Sequence, residues 1–109
     1  MSINKIILIG YCGKDPEVRY PEKGFTVAKI TLATSEPKGI GGTEVTEWHT
    51  CIFTGKQAEI VERYVKKGSH LYVEGKMRYR EYEDRFKIKR RAAEVEVQIF
   101  ELLGKTTAK

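Results

Sequence analysis

Residues 46–78 read TEWHTCIFTGKQAEIVERYVKKGSHLYVEGKMR, and this stretch decides the fold because its hydrophobic period changes twice. Up to Thr54 polar and apolar positions alternate, which is typical of a strand. Residues 54–68 then repeat apolar side chains at helical spacing, and residues 69–81 return to a period of two. The apolar helical positions are Ala58, Val61, Tyr64 and Val65. The stretch therefore predicts a strand, a helix and a second strand.

The predicted helix carries a signal at each end. Thr54 and Gln57 have the spacing of a capping box, in which each side chain satisfies a free backbone N–H of the first turn. Gly68 suits the left-handed conformation that ends many helices. We therefore expect the helix to lie within residues 54–68.

The remainder of the chain adds three predicted strands to these two. Residues 3–12 are apolar at nearly every position, which predicts a central strand covered on both faces. Residues 14–24 break that strand with two prolines and a glycine. Residues 25–35 are a second predicted strand, followed by a flexible loop at residues 36–42. Residues 90–103 are the last predicted strand. Five strands with one helix between the third and fourth predict an all-β OB-fold barrel.

The length of the chain indicates one domain, and its net charge favours an anionic partner. The 109 residues suffice for a single core, which we place at residues 1–104, followed by a short disordered end at residues 105–109. Twenty basic against fifteen acidic side chains give a net charge of +5, which favours nucleic acid first and a membrane surface second. The sequence has no apolar run that could span a bilayer, and its N-terminal apolar segment is too short for a signal peptide, so we expect neither feature. Cys12 and Cys51 lack metal-ligand spacing, so we expect reduced thiols in the cytoplasm.

The strand before the helix places the single tryptophan on the side away from the predicted core. One face carries Glu47, His49, Cys51 and Phe53, and the other carries Trp48, Thr50, Ile52 and Thr54. Since Cys51 and Phe53 mark the inward face, Trp48 is expected to stand among threonines on the wetter side. The prediction raises the question of what Trp48 contacts.

The strand after the helix mixes aromatic and cationic side chains on one face. Leu71, Val73, Met77 and Tyr79 form the predicted core face, opposite His70, Tyr72, Glu74, Lys76, Arg78, Arg80 and Tyr82. Such a mixture suits a surface that binds single-stranded nucleic acid, because the cations contact phosphates and the aromatic rings stack on bases. The hairpin at residues 85–91 adds positive charge and Phe86. A basic hairpin is also often only a protected, solvated edge, but Trp48 and Tyr82 favour nucleic acid.

Several blocks carry a family resemblance. NKIILIG, GKDPEVRY, AKITLATSE, TEWH, GKQAEIVERYVKKGSHLYVEGKMR and LLG resemble, in order and spacing, the DNA-binding domain of bacterial single-stranded DNA-binding proteins over about residues 2–104. The resemblance implies an OB-fold homotetramer that wraps single-stranded DNA and uses no cofactor or metal. It places Trp48 and Tyr82 at base-stacking positions. It also places Lys5, Lys56, Lys66, Lys67, Arg78 and Arg80 at positions that approach phosphates.

The chain departs from the family's pattern at three aromatic positions. Pro37 stands where a tryptophan is often found, and Thr54 where an aromatic residue usually precedes the helix. Tyr11 replaces the usual asparagine, which either adds an aromatic surface for DNA or simply packs. Affinity and site size are left open by these changes.

The C-terminal residues differ as well. Members of the family normally continue through a disordered linker to an acidic tip that recruits replication and repair enzymes, whereas residues 104–109 carry two lysines and no carboxylate side chain. The resemblance therefore implies that partners dependent on an acidic tail are not expected. The alternative is that the chain is a piece of a longer protein.

The three alternative functional classes are an enzyme, a primosome-type OB protein and a structural oligomer. An enzyme would require a nucleophilic pair such as His49 and Cys51, but a cysteine beside Phe53 is more simply a small core residue. Asp15 and Asp84 are the only aspartates and lie apart in predicted turns, which argues against a metal nuclease. A primosome-type OB protein that acts mainly through replication proteins, and a structural oligomer, stay open. We predict a non-enzymatic protein.

The first strand also predicts assembly. Ile3, Ile7 and Ile9 alternate with Ile6 and Leu8, so both faces of the strand are apolar, which is more than one small barrel needs to cover. The resemblance implies that these strands pair across a dimer and that two dimers join through sheet faces, with His49 near a subunit contact.

Overall fold

A computed structural model describes residues 1–38 and 40–104. Within these residues the chain forms six strands and one helix. They are β1 (Ile6–Cys12), β2 (Glu17–Glu22), β3 (Phe25–Pro37), β4 (Glu44–Thr54), α1 (Lys56–Tyr64), β5 (His70–Glu83) and β6 (Lys89–Leu103). The end predicted to be disordered, residues 105–109, lies outside the described residues.

Five of the strands close into a barrel. The sheet runs in the order β1-β5-β6-β4-β3-β2, and β1 also pairs with β3, which completes a ring of β1, β5, β6, β4 and β3. Two short seams close the ring: β1 and β3 pair at Tyr11–Ala33 and Cys12–Leu32, and β4 and β6 pair in parallel at Cys51–Val95 and Ile52–Glu96. The helix lies between the third and fourth ring strands. The predicted OB-fold is confirmed.

The additional strand β2 lies outside the ring, where the sequence predicted only a break. It pairs with β3 through a tight turn in which Gly24 has a φ of 81°, and Glu22 faces Phe25. Pro21 does not prevent this because an edge strand can hold a residue that donates no backbone hydrogen bond.

The core lies between the barrel wall and one face of α1. Its buried apolar side chains are Cys12, Ala28, Ile30, Leu32, Cys51, Phe53, Ala58, Val61, Val65, Leu71, Val73, Val95 and Val97. Phe53 meets Phe100 edge to face, with ring centroids 5.1 Å apart. Because alternate residues of β3, β4 and β5 point inward, their other residues form the outer wall on which the candidate site lies.

The helix ends differ from the prediction. Thr54 is the last residue of β4, and Gly55, at a φ of 63°, holds the N-cap position without a side-chain cap. The Gln57 side chain instead donates to the carbonyl of Gln98, at 2.7 Å, and so ties the helix to β6. At the other end Val65 is already extended, and Gly68 follows in a turn at a φ of 90°. The capping-box and C-cap predictions are therefore wrong.

The first strand is not covered on both faces within one chain. Ile6 and Leu8 pack against the core, whereas Ile7 and Ile9 are each 54% exposed on the outer wall. The prediction of a fully covered strand is wrong for the single chain.

The far ends of β5 and β6 project beyond the ring as a hairpin, which we call the arm (residues 78–94). Its turn is organised by Asp84, whose Oδ1 accepts the backbone N–H groups of Phe86 and Ile88 at 2.9 and 3.0 Å. Arg90 Nε donates to Asp84 Oδ2 at 3.0 Å. The Ile88 N–H, the Arg90 side chain and the Phe86 N–H lower the pKa of Asp84 because they stabilise the carboxylate.

Candidate nucleic-acid interface

Trp48 stands on the outer wall, as its strand pattern predicts, and is 60% exposed. The indole lies against Gly13, at the end of β1. A Cβ added at Gly13 would come within 2.3 Å of Trp48 Cζ3 and 3.0 Å of Cη2. Since real carbon atoms do not approach so closely, Gly13 permits this position of the indole, which reaches from β4 across β3 to β1. Sequence reasoning did not identify Gly13.

Tyr11 and His70 lie in the same row of the outer wall as Trp48. In register, His70 faces Tyr11, Tyr11 faces Ala33 and Ala33 faces Trp48, across strands β5, β1, β3 and β4. The Tyr11 and His70 rings are stacked, with centroids 4.3 Å apart and planes 8° from parallel. Together with Trp48 they line a shallow groove of about 540 Å³. Its other lining residues are Ile9, Gly10, Ala33, Ser35, Glu44 and Thr46.

Three lysines lie near Gly13, where hydrogen bonds join the segment after β1 to the turn before β5. Lys66 and Lys67 are exposed in the turn before β5, and Lys14 is exposed directly after Gly13. The Lys67 N–H donates to Asp15 Oδ1 at 2.8 Å, and the Gly68 N–H donates to the Cys12 carbonyl at 2.9 Å. These bonds place the three lysines, which we call the lysine rim, beside Gly13, against which the Trp48 indole lies. Lys14 was not among the predicted site residues.

The arm carries the predicted arginines and Tyr82 on its outer face. Arg78 Nε contacts Glu96 Oε2 at 2.9 Å, and Arg80 Nη2 contacts Glu94 Oε2 at 3.1 Å. The Glu94 carboxylate raises the pKa of the exposed Arg80 guanidinium because it stabilises the charged form. Arg80 Cζ also lies 5.5 Å from the centre of the Tyr82 ring. Both arginines are thus positioned by carboxylates on β6.

The opposite face of the arm contradicts one prediction. Tyr79, predicted to lie in the core, is 59% exposed, and Arg91 Cζ lies 4.4 Å from the centre of its ring. The alternation along β5 is correct, but at this point the strand has left the barrel, so no layer covers Tyr79.

A polar groove lies between the Trp48 row and the arm. Along β4, Ile52 lies on the same face as Trp48, about 13 Å away at 3.3 Å per residue. Ile52 lines a groove with Arg80 and with Arg19 and Lys29 of the neighbouring strands. Lys29 Nζ lies 3.7 Å from Glu17 Oε2. Sequence reasoning missed Arg19 and Lys29 because the strand pairing that brings them to this groove cannot be read from local pattern.

Two predicted site residues lie apart from the others. Lys5 Nζ is 3.6 Å from Glu74 Oε2, beside the exposed isoleucines of β1. Lys56 is the exposed first residue of α1. Neither is among the residues that line the Trp48 groove or the groove at Ile52.

The predicted His49–Cys51 alternative lacks a reactive thiol. Cys51 is fully buried, and burial, together with the nearby Cys12, raises the pKa of its thiol to about 12. His49 Nε2 instead lies 2.9 Å from Thr34 Oγ1. A thiol with this pKa stays protonated at neutral pH, which argues against a nucleophile here.

Neither a metal site nor a spanning helix is found in the part of the chain that the structure describes. Its histidine, cysteine, aspartate and glutamate side chains form no group of three that could hold a metal ion. None of the helical residues within 1–38 and 40–104 forms a segment long and apolar enough to cross a membrane.

Comparison with known proteins identifies the family. The sequence model described as the single-strand binding protein family matches residues 3–103. The chain belongs to this family. It is 44% identical over 110 residues to the "Single-stranded DNA-binding protein" of Bacteroides thetaiotaomicron, in an alignment that covers 95% of this chain and 68% of that protein. The resemblance seen in the sequence blocks is confirmed.

The family match extends from residue 3 to residue 103, so it includes every predicted site residue. It therefore encloses both the Trp48 row and the arm.

Proposed function

We propose that this protein binds single-stranded DNA with little sequence preference. The observation that carries the proposal is the position of Trp48, which lies exposed against Gly13, with the lysine rim beside the same glycine. A flat aromatic surface next to free cations provides stacking for a base and charge for the adjoining phosphates. Stacking uses the face that every base has, so it does not distinguish one base from another.

The same strand of DNA is proposed to continue from Trp48 to the arm. The groove at Ile52 lies between the two and carries Arg19 and Lys29 on its walls. Tyr82 is 44% exposed and offers a separate stacking surface on the arm, beside Arg80. In this proposal phosphates contact Lys66, Lys67, Arg78 and Arg80, while Lys5 and Lys56 act at the periphery.

The carboxylates beside the arm arginines do not prevent phosphate binding. Arg78 and Arg80 are more than half exposed, and ion pairs of this kind contribute about 0–1 kcal/mol because water screens them. A phosphate can therefore displace Glu94 or Glu96 at small cost.

We also propose that the protein assembles as a homotetramer. On the outer wall Ile7, Ile9 and Ile99 are each about half exposed and lie near one another, because Glu74 faces both Ile7 and Ile99 across the strands. Within the described residues, β1 pairs with β3 only at Tyr11 and Cys12, so the rest of that strand edge has no partner. An open edge beside an apolar face suits a symmetric contact between copies.

A titration with oligodeoxythymidylate tests the binding proposal, with the fluorescence of Trp48 as signal. We expect quenching on binding, weak binding to a duplex of equal length, and a log–log salt slope of about −0.7 per phosphate neutralised. Equal affinity for duplex and single strand at the same salt concentration would contradict the proposal.

Light scattering at micromolar concentration tests the assembly separately. We expect the mass of four chains. A monomeric mass would reject the tetramer without affecting the binding proposal.

A further inference from the structure

The binding proposal gives no role to the stacked rings of Tyr11 and His70 on the outer wall. We propose that they form a second base-stacking platform next to Trp48, with His70 as a DNA-binding residue. This inference rests on the proposed binding of single-stranded DNA and adds to it a site for a second base.

The register of the strands gives Tyr11 one covered and one open face. His70 lies on the β5 side of Tyr11, while Ala33 and Trp48 lie on the β3 and β4 side. With His70 stacked on one face at 4.3 Å, the other face of Tyr11 is turned toward Trp48, and Tyr11 is still 55% exposed. The His70 ring therefore supports Tyr11 in an upright position.

The space between Tyr11 and Trp48 is suited to a flat base. Their backbones are two strand spacings apart, about 10 Å, and the intervening residue is Ala33, which has the smallest side chain other than glycine. The Trp48 indole reaches across β3 to Gly13, so the base would lie beside the indole, against the open face of Tyr11. The groove of about 540 Å³ that Tyr11, Ala33 and Trp48 line has room for it there.

The charges around the groove favour nucleic acid and give it an orientation. The lysine rim lies beside Gly13, whereas the acidic Glu44 is one of the residues that line the groove itself. Phosphates would therefore follow the lysines, with base edges pointing toward Ser35 and Thr46. The hydroxyl groups of Ser35 and Thr46 lie 2.9 Å apart, and a hydroxyl can donate or accept, so they tolerate any base edge.

The test combines affinity with direct detection of the contact. The probe is an oligodeoxythymidylate of about 16 nucleotides, the upper length that one OB-fold covers, with a 5-iododeoxyuridine in place of one thymidine. Irradiation forms a covalent bond to an aromatic ring stacked on the iodinated base, and mass spectrometry identifies the peptide. We expect cross-links to Tyr11 or His70 as well as to Trp48.

Three variants separate a stacking role from a structural one. We expect Tyr11→Ala to weaken binding about 5-fold to 100-fold and His70→Ala about 3-fold, whereas His70→Phe, which keeps a flat ring, stays near wild type. Tyr20→Ala is the matched control, because it removes an exposed ring on β2 whose hydroxyl bonds Glu62 and which does not line the groove. Its affinity should not change.

The outcomes distinguish this inference from the proposed function. If the wild-type protein does not bind the oligonucleotide, the proposed function fails. If it binds and Trp48 forms cross-links, while Tyr11→Ala and His70→Ala keep full affinity and neither residue forms a cross-link, only the second platform is wrong. Sedimentation covers the remaining possibility: a loss of oligomer mass in His70→Ala would make the pair a contact between copies and would overturn the proposal.

Discussion

Replacing Gly13 with alanine tests whether the backbone of β1 positions Trp48 for binding. The added Cβ would lie 2.3 Å from Trp48 Cζ3, whereas carbon atoms in contact are about 3.5–4.0 Å apart. The indole must therefore move by at least about 1.2 Å. Gly13 is not among the residues with positive φ, so alanine does not strain the backbone.

The expected effect falls on affinity rather than on folding. Because Trp48 is mostly exposed, it can swing away from the new methyl group at little cost, and we expect the free energy of unfolding to change by less than about 1 kcal/mol. Loss of a stacked base costs about 1–3 kcal/mol. A displaced indole should lose part of this, about 1 kcal/mol, which is a roughly fivefold weaker affinity.

A double-mutant cycle with Trp48→Ala gives the decisive measurement. If Gly13 acts through the indole, Gly13→Ala should weaken binding in the wild-type background and have no further effect when Trp48 is already absent. The free protein offers an independent check, since its tryptophan emission should shift when the contact with Gly13 is lost. Fully additive losses in the cycle would refute the reasoning.

The other predicted substitutions change DNA affinity in either direction or change the pH dependence of stability. Trp48→Ala should weaken binding by about 1–3 kcal/mol and Tyr82→Ala by less, both measured by anisotropy of a labelled oligonucleotide, with unchanged melting temperatures as the control. Glu94→Gln should strengthen binding severalfold at low salt, because it frees Arg80, and a loss of affinity would contradict this. Burial raises the pKa of the Cys51 thiol from 9.0 to about 12. Between these pH values the unfolded chain loses the proton and the folded chain keeps it, so the free energy of unfolding should fall by up to about 1.4 kcal/mol per pH unit as the pH rises. Urea titrations of wild type and Cys51→Ala should show the steeper fall in wild type.

The sequence predicted features that depend on one strand or helix at a time. Alternation along β4 placed Cys51 inside and Trp48 outside, and the change of period at residue 54 marked the transition from strand to helix. These follow from local geometry, since successive strand residues point to opposite faces.

Features that depend on pairing between distant strands were beyond local pattern. Gln57 matches a capping box, yet its side chain bonds Gln98 of β6. The sequence predicted Arg80 on the face opposite the core, and only the register of β5 and β6 shows that Glu94 lies beside it. Gly13 is informative only once the pairing of β3 with β4 brings Trp48 across to it. Each of these contacts requires knowledge of which residues face each other.

The two short seams of the barrel carry a consequence for folding kinetics. The β3–β4 and β5–β6 hairpins each close a short loop, whereas Cys51 and Val95 of one seam are 44 residues apart. The other seam forms only when β1 docks, and β1 also pairs with β5 at separations of 59 residues (Tyr11–His70) to 69 residues (Ile6–Gly75). Since long loops cost more entropy to close, the seams should form last, after the rate-limiting barrier. Val95→Ala would then speed unfolding and leave the folding rate nearly unchanged. Because the indole of Trp48 rests on Gly13, beside the β1–β3 seam, its emission would report the final closing step in stopped-flow refolding.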